Sequence, residues 1–234
     1  MDEDSRGPRT AETERLAAYL RRAALAHCAR YAATEADLAR ILERKALRRL
    51  ALTASDDPPD RSAVDDLVAR TVASCRQLGL VDDRGYAELK VGSGRRRGLS
   101  SARLTETLAA RGVDRGTIAE TLAEDGTDDR RAALIFARRK RIGPWRRPVH
   151  ADDPDGGDGA AGVHDVSGTD DTSGDGIDRR DRRRTADPRQ RDLAILCRNG
   201  HSPAIARWVV SLDLDSAEAA LDSDDESQNG IPQK

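Results

Sequence analysis

The sequence has few of the residues from which large hydrophobic cores are built. Its 234 residues include one Phe, two Trp and three Tyr, and 37% of the chain is hydrophobic whereas 35% is charged. Burial must therefore come mainly from Ala, Leu, Val and Ile on one face of each helix. A core this thin favours packed helices over a large β-sandwich.

Cysteines and long apolar runs are also scarce. The three cysteines, Cys28, Cys75 and Cys197, are far apart and odd in number, which argues against a secreted disulfide framework and for a reducing compartment. The opening MDEDSRGPR has no apolar signal-peptide region, and no run approaches the roughly 18 apolar residues that span a bilayer. We therefore expect a cytoplasmic protein with no membrane segment.

Patterns that support catalysis or metal binding are missing as well. The sequence contains no Gly-rich phosphate loop, nucleophile elbow or HExxH pattern. Asp82 and Asp83 could suggest acid–base chemistry, but their place after Gly79 at the start of a helix is better explained by capping. Cys197 and His201 have a spacing seen in zinc sites, yet a full ligand set would need distant segments to converge. We predict no catalytic residue, no metal and no cofactor.

What the sequence does contain is helical periodicity with clear helix starts and stops. The segment from Ser62 to Leu78 has apolar residues at helical spacing, and Gly79 follows it in the position typical of a helix C-terminus. Thr34 is a plausible N-cap of an earlier helix. The apolar residues on the face of this segment are Val64, Leu67, Val68, Thr71, Val72 and Cys75.

This rhythm of three helices recurs along the chain. We predict an all-α fold of three tandem three-helix units at residues 11–78, 79–125, and 126–147 together with 187–221. Stacked units of this kind bury their inner faces mainly against neighbouring units, which predicts an elongated, curved body. Residues 148–186 are rich in Asp and Gly and predict a disordered acidic insertion in the third unit; residues 1–10 and 222–234 predict disordered ends.

Four fragments in order along the chain resemble the RecX family: GLVDDRGYAELK, RGLSSARLTETLAARGVDRGTIAETL, FARRKRIGPWRR and LCRNGHSPAIARWVV. The resemblance extends from about Leu16 to Leu212 and is strongest in the middle unit, whereas the acidic insertion departs from the family pattern. It implies a monomeric regulator of the RecA recombinase in recombination, DNA repair and the SOS response. The resemblance also implies that the protein is not an enzyme and that it lies in the groove of the RecA filament on single-stranded DNA, where it restrains ATP hydrolysis and strand exchange or promotes filament disassembly. Weak direct contact with DNA is a further expectation.

Two basic clusters are the candidate binding residues. Clustered guanidinium groups suit phosphates and partner carboxylates, although exposed arginines also occur as ordinary solvated helix ends, and positive charge at a helix C-terminus compensates the macrodipole. The first cluster consists of Arg95, Arg96, Arg97 and Arg103, and the second of Arg138, Arg139, Lys140, Arg141, Arg146 and Arg147.

Two other functions fit a helical binding protein. The chain could be a free-standing DNA-binding protein that places the third helix of one unit in the major groove, like a helix-turn-helix. However, the third helix of the middle unit, DRGTIAETLAED, is acidic and poor in the Arg, Asn and Gln that read bases. A structural adaptor for some other helical assembly is the third alternative.

Overall fold

The computed structural model describes residues 6–53, 59–146 and 187–229, and all regular secondary structure in these ranges is helical, which confirms the predicted all-α fold. None of these helices is long and apolar enough to cross a membrane. The helices are α1 (Arg6–Cys28), α2 (Glu35–Leu52), α3 (Arg61–Gln77), α4 (Asp83–Arg96), α5 (Ser101–Ala110), α6 (Arg115–Asp125), α7 (Asp129–Lys140), the 3-10 helix η1 (Gly143–Trp145), α8 (Pro188–Arg198), α9 (Pro203–Ser211) and α10 (Leu214–Asn229).

Several sequence predictions concern residues at or beyond the limits of this description. The predicted acidic insertion at 148–186 lies outside the described residues, as do 1–5 and 230–234 of the predicted disordered ends. Within the described chain, α1 begins at Arg6 and α10 runs to Asn229, so helix extends into both terminal segments. The helix α10 forms because Asp213 accepts a 2.7 Å hydrogen bond from the amide of Ser216 at its start, and Ala217 and Leu221 are buried.

The described chain divides into two compact units, and the boundaries of the three predicted units stay a prediction. The first unit contains the described residues up to Arg95 and residues 101–127. Its core lies among α1, α2 and α3, because each helix has an apolar stripe of helical period. The buried residues of this core are Leu16, Leu20, Ala24, Leu38, Leu42, Ala46, Val64, Leu67, Val68, Val72, Cys75 and Val81.

Polar groups from later in the chain fix the start of α2. The Thr34 hydroxyl accepts a 3.0 Å hydrogen bond from the amide of Asp37, as predicted for an N-cap, and donates a 2.7 Å bond to the carbonyl of Arg111. The carboxylate of Asp83 accepts a 2.8 Å bond from the amide of Glu35. Buried helix amides need partners, so these bonds hold α2 against α4 and the end of α5.

The acidic pair Asp82 and Asp83 therefore has two capping roles. Asp82 caps its own helix, since its carboxylate accepts a 3.0 Å hydrogen bond from the amide of Arg84. Asp83 reaches across to α2 instead. The predicted capping is thus confirmed, and Tyr86, one turn further on, is buried as expected of a core residue.

The second unit contains residues 96–100 and the described residues from Asp128 onwards. The helix α7 packs against α8, α9 and α10, and the core of this unit consists of Ala133, Leu134, Phe136, Ala137, Ile142, Leu196, Ala206, Val209, Ala217 and Leu221. At Gly98, with φ at +79°, an added Cβ would lie 2.4 Å from the amide nitrogen of Phe136. Ser100 donates a 3.3 Å hydrogen bond to the carbonyl of Asn199, so residues 96–100 are held on α7 and the end of α8.

Candidate partner-binding surface

The basic end of α7 is the most concentrated positive charge of the second unit. Arg138, Arg139 and Lys140 form its last turn, Arg141 follows, and all four side chains are exposed. The backbone turns sharply here: the amide of Arg141 donates a 3.2 Å hydrogen bond to the carbonyl of Arg138, and the amide of Ile142 donates a 3.1 Å bond to the carbonyl of Ala137. This is the Schellman arrangement of a helix C-terminus. The negative end of the helix dipole favours these cations, which accounts for part of the cluster.

Arg141 occupies a backbone conformation that suits glycine. Its φ is +52°, and it is the one non-glycine residue with positive φ in the described parts of the chain. The left-handed conformation costs an L-residue roughly 1–2 kcal/mol, so Gly would be the easier choice. Strain of this kind clusters at functional sites, where a particular side chain is needed. The turn thus has an exposed arginine at a position where glycine would give the more stable backbone.

Arg96 and Arg97 add two exposed cations to the same unit. Arg96 is the last residue of α4, and Arg97 leads into the Gly98 turn, whose backbone is in contact with Phe136 in α7. Only glycine allows this approach, because a Cβ would also lie 2.6 Å from the carbonyl oxygen of Ala132. We refer to the exposed cations at the Gly98 turn and at the end of α7 as the second-unit cations, namely Arg96, Arg97, Arg138, Arg139, Lys140 and Arg141.

Two residues of the first predicted cluster have partners within the first unit. Arg95 is only 5% exposed; its Nε lies 3.4 Å from the Asp125 carboxylate and its Nη2 lies 2.6 Å from the Ser101 hydroxyl. Arg103 is exposed and pairs with Glu106, one turn along α5, at 2.7 Å. The structure thus places Arg95 inside the unit, where it joins α4 to α5 and α6, and separates it from the exposed cations that follow it in sequence.

At the end of the second predicted cluster, Arg146 pairs with a carboxylate that sequence reasoning missed. Asp192 in α8 is 1% exposed and accepts hydrogen bonds from the amide of Gly143 at 2.8 Å and from Nε and Nη2 of Arg146, the Nε bond at 3.2 Å. We call this the Arg146–Asp192 clasp. The available signal was spacing, since Asp192 precedes buried Leu196 by four residues and so shares its helix face. Arg147 lies outside the described residues.

The residues considered for metal binding show no assembled site. Cys197 is exposed, whereas His201 is 2% exposed and its ring centroid lies 5.6 Å from that of Phe136. Within the described ranges, no three or more His, Cys, Asp or Glu side chains are grouped closely enough to hold a metal ion. His201 therefore belongs to the packing around α7.

The exposed face of α6 is acidic. Arg84 donates hydrogen bonds to Glu124 at 2.7 Å and to Glu120 at 3.3 Å, and the bond to Glu124 is the main cause of a raised pKa of Arg84. Both glutamates are more than half exposed. A helix with this charge is repelled by DNA phosphates, which disfavours its insertion into a major groove.

Comparison with known proteins places this architecture in one family. A family profile described as "RecX, second three-helix domain" matches residues 82–122, inside the predicted middle unit. Regulatory protein RecX of Myxococcus xanthus is 30% identical over 195 residues, which cover 82% of this chain and 84% of the relative. Regulatory protein RecX of Agrobacterium fabrum is 33% identical over 147 residues, covering 63% of this chain and 76% of the relative. No solved structure matches. Identity of this extent over most of both chains shows that the chain belongs to the RecX family of regulatory proteins.

Proposed function

We propose that this protein binds the RecA filament on single-stranded DNA and restrains ATP hydrolysis and strand exchange by RecA. Membership of the RecX family supports the regulatory role. The observation that carries the choice of binding residues is Arg141, which keeps an exposed guanidinium in a strained conformation at the end of a cluster of three other cations. These side chains suit a partner that offers many carboxylates or phosphates.

The second-unit cations are suited to this task for two reasons. Arginine presents a planar fork of donors that binds carboxylate or phosphate oxygens in pairs, and five of the six cations are arginine. Several weak contacts on one rigid unit also add up, because the entropy of immobilising the unit is lost only once. A bound protein that contacts neighbouring RecA subunits would oppose the rearrangements that accompany ATP hydrolysis.

The test is DNA-dependent ATP hydrolysis by RecA filaments assembled on single-stranded DNA before this protein is added. We expect near-stoichiometric protein to lower the rate. Replacing Arg138, Arg139, Lys140 and Arg141 with Ala should raise the concentration for half-maximal effect by about tenfold or more, since several charged contacts are removed together. Far-UV circular dichroism would show that both proteins are equally helical.

A charge-matched control separates specific contacts from net charge. Arg189, Arg191, Arg198 and Arg207 are also exposed in the second unit, and replacing them with Ala removes the same four positive charges. We expect this control to act on RecA like the unmodified protein. No change in ATP hydrolysis at saturating unmodified protein would reject the proposed function, and equal losses in both variants would reject the choice of binding residues.

A further inference from the structure

A cleft on the first unit combines an aromatic ring with basic side chains and has no role in the proposal above. Its volume is about 250 Å³. None of the six residues that line it is acidic: they are Tyr19 from α1, and Lys45, Arg48, Arg49, Leu52 and Thr53 from the second half of α2 and the residue that follows it. We call it the Tyr19 cleft.

The ring and one cation of the cleft are held in a fixed arrangement. The guanidinium carbon of Arg49 lies 4.8 Å from the centroid of the Tyr19 ring, within the range of a cation–π interaction. Tyr19 is itself partly buried against the core of the first unit. Arg49 is therefore oriented before any ligand arrives, which reduces the entropy lost when its donors bind an anion.

Two further exposed cations lie on the same face of α1 as the ring. Arg15 and Arg22 lie four residues before and three residues after Tyr19, and so share its face of α1. Among the described residues, neither Lys45 nor Arg48 forms an ion pair with a carboxylate. Three cations thus line the cleft together with the ring, and two more lie on the same face of α1.

Compensation of the α2 dipole does not explain this cluster. Arg48 and Arg49 are near the helix C-terminus, but the hydroxyl and amide of Thr53 each already donate a 3.0 Å hydrogen bond to the carbonyl of Arg49. Lys45 is about two turns before the helix ends at Leu52, whereas the dipole effect is confined to the last turn. The dipole of α2 also gives no reason for an aromatic ring, Tyr19, to line the cleft.

We infer that the Tyr19 cleft binds single-stranded DNA directly, with Lys45, Arg48 and Arg49 contacting phosphates and a base packing on the Tyr19–Arg49 pair. Clustered Arg and Lys bind the nucleic acid backbone through charge and counterion release. An aromatic ring among them favours single-stranded nucleic acid over an acidic protein, because every exposed base offers a face for stacking. This inference goes beyond the proposed function, since it requires no RecA.

The test uses the full chain and a fluorescein-labelled oligo(dT), without RecA, with binding measured by fluorescence anisotropy at several salt concentrations. Replacing Lys45, Arg48 and Arg49 with Ala should weaken binding at least about tenfold at low salt and reduce the slope of log affinity against log salt by about 2. The matched control replaces Arg30, Arg70 and Arg115, which are exposed elsewhere on the first unit, and should bind like the unmodified protein. Equal losses in the two variants, or no loss in the first, would overturn the inference.

Two further arms test the ring and the kind of ligand. Tyr19→Leu keeps an apolar side chain against the core and should weaken binding to oligo(dT) by about fivefold or more, while binding to an abasic oligomer of equal length changes little. Unchanged oligo(dT) binding by this variant would overturn the stacking role. The last arm is competition with poly-glutamate, which should displace the labelled oligo(dT) less efficiently than unlabelled oligo(dT) does. If poly-glutamate displaces the probe equally well, the cleft recognises carboxylates and the assignment to DNA is wrong.

Discussion

Gly98→Ala should destabilise the second unit much more than the same change at another glycine with positive φ. An added Cβ would lie 2.4 Å from the Phe136 amide nitrogen, 2.6 Å from the Ala132 carbonyl oxygen and 2.8 Å from the Phe136 Cα. All three are backbone atoms of α7, so no side chain can rotate to relieve the overlap. The turn must withdraw by about 1 Å to reach ordinary contact distance.

The expected magnitude has two parts. Forcing Ala into the left-handed region costs roughly 1–2 kcal/mol, and overpacking against a rigid neighbour typically costs about 1–3 kcal/mol. We therefore expect the free energy of unfolding of the second unit to fall by about 3 kcal/mol, which lowers the Tm of a protein of this size by roughly 6–12 °C. Residues Arg96 and Arg97 should move with the turn.

Gly79→Ala is the matched control. Gly79 has φ at +67°, but an added Cβ there would have no heavy atom within 4 Å. The control therefore carries only the conformational cost, about 1–2 kcal/mol, or roughly 2–8 °C in Tm. Thermal unfolding followed by far-UV circular dichroism compares the two variants directly. If Gly98→Ala lowers Tm no more than Gly79→Ala, residues 96–100 do not pack on α7 as described.

Three further predictions concern a cap, a buried charge and the thiols. Arg141→Gly should raise the free energy of unfolding by about 1 kcal/mol in denaturant titrations, and it should weaken the effect on RecA. A variant no more stable than the unmodified protein would show that the backbone at Arg141 is unstrained. Asp192→Ala should cost about 2 kcal/mol by the same measurement, because the half-buried guanidinium of Arg146 and the amide of Gly143 lose their acceptor; a loss under about 1 kcal/mol would contradict this. Iodoacetamide at mildly alkaline pH should modify exposed Cys197 before the other two cysteines, as followed by mass spectrometry. Burial raises the pKa of the Cys28 and Cys75 thiols, so a smaller fraction of each is thiolate. Equal rates of modification at the three cysteines would refute this.

Local signals predicted the helix ends well. Thr34 was identified as an N-cap from its position before an acidic first turn, and Gly79 as a helix stop from its position after the periodic residues of α3; the structure confirms both. These features depend on backbone groups within a few residues, and the sequence displays such neighbours directly. The all-α fold follows from the same local periodicity.

Pairing between residues far apart in sequence could not be predicted from these local signals. Arg95 looked like part of one exposed cluster with its neighbours, yet it points into the first unit and pairs with Asp125, thirty residues away. The two arginines that follow it are exposed. A run of identical charges gives no indication of which member has a buried partner, because that depends on helix rotation and on a distant residue. Asp192 was missed for the same reason.

The Arg146–Asp192 clasp also bears on how freely this part of the chain can vary in length. The two residues are 46 apart in sequence, and their pairing joins the end of η1 to α8. The entropy of closing a loop grows only with the logarithm of its length, so each doubling costs about 0.6 kcal/mol. On this scaling, shortening the chain between the two residues to about a third would stabilise the unit by only about 1 kcal/mol. The length of the chain between Arg146 and Asp192 can therefore change during evolution with little effect on the free energy of unfolding, provided that both residues are kept.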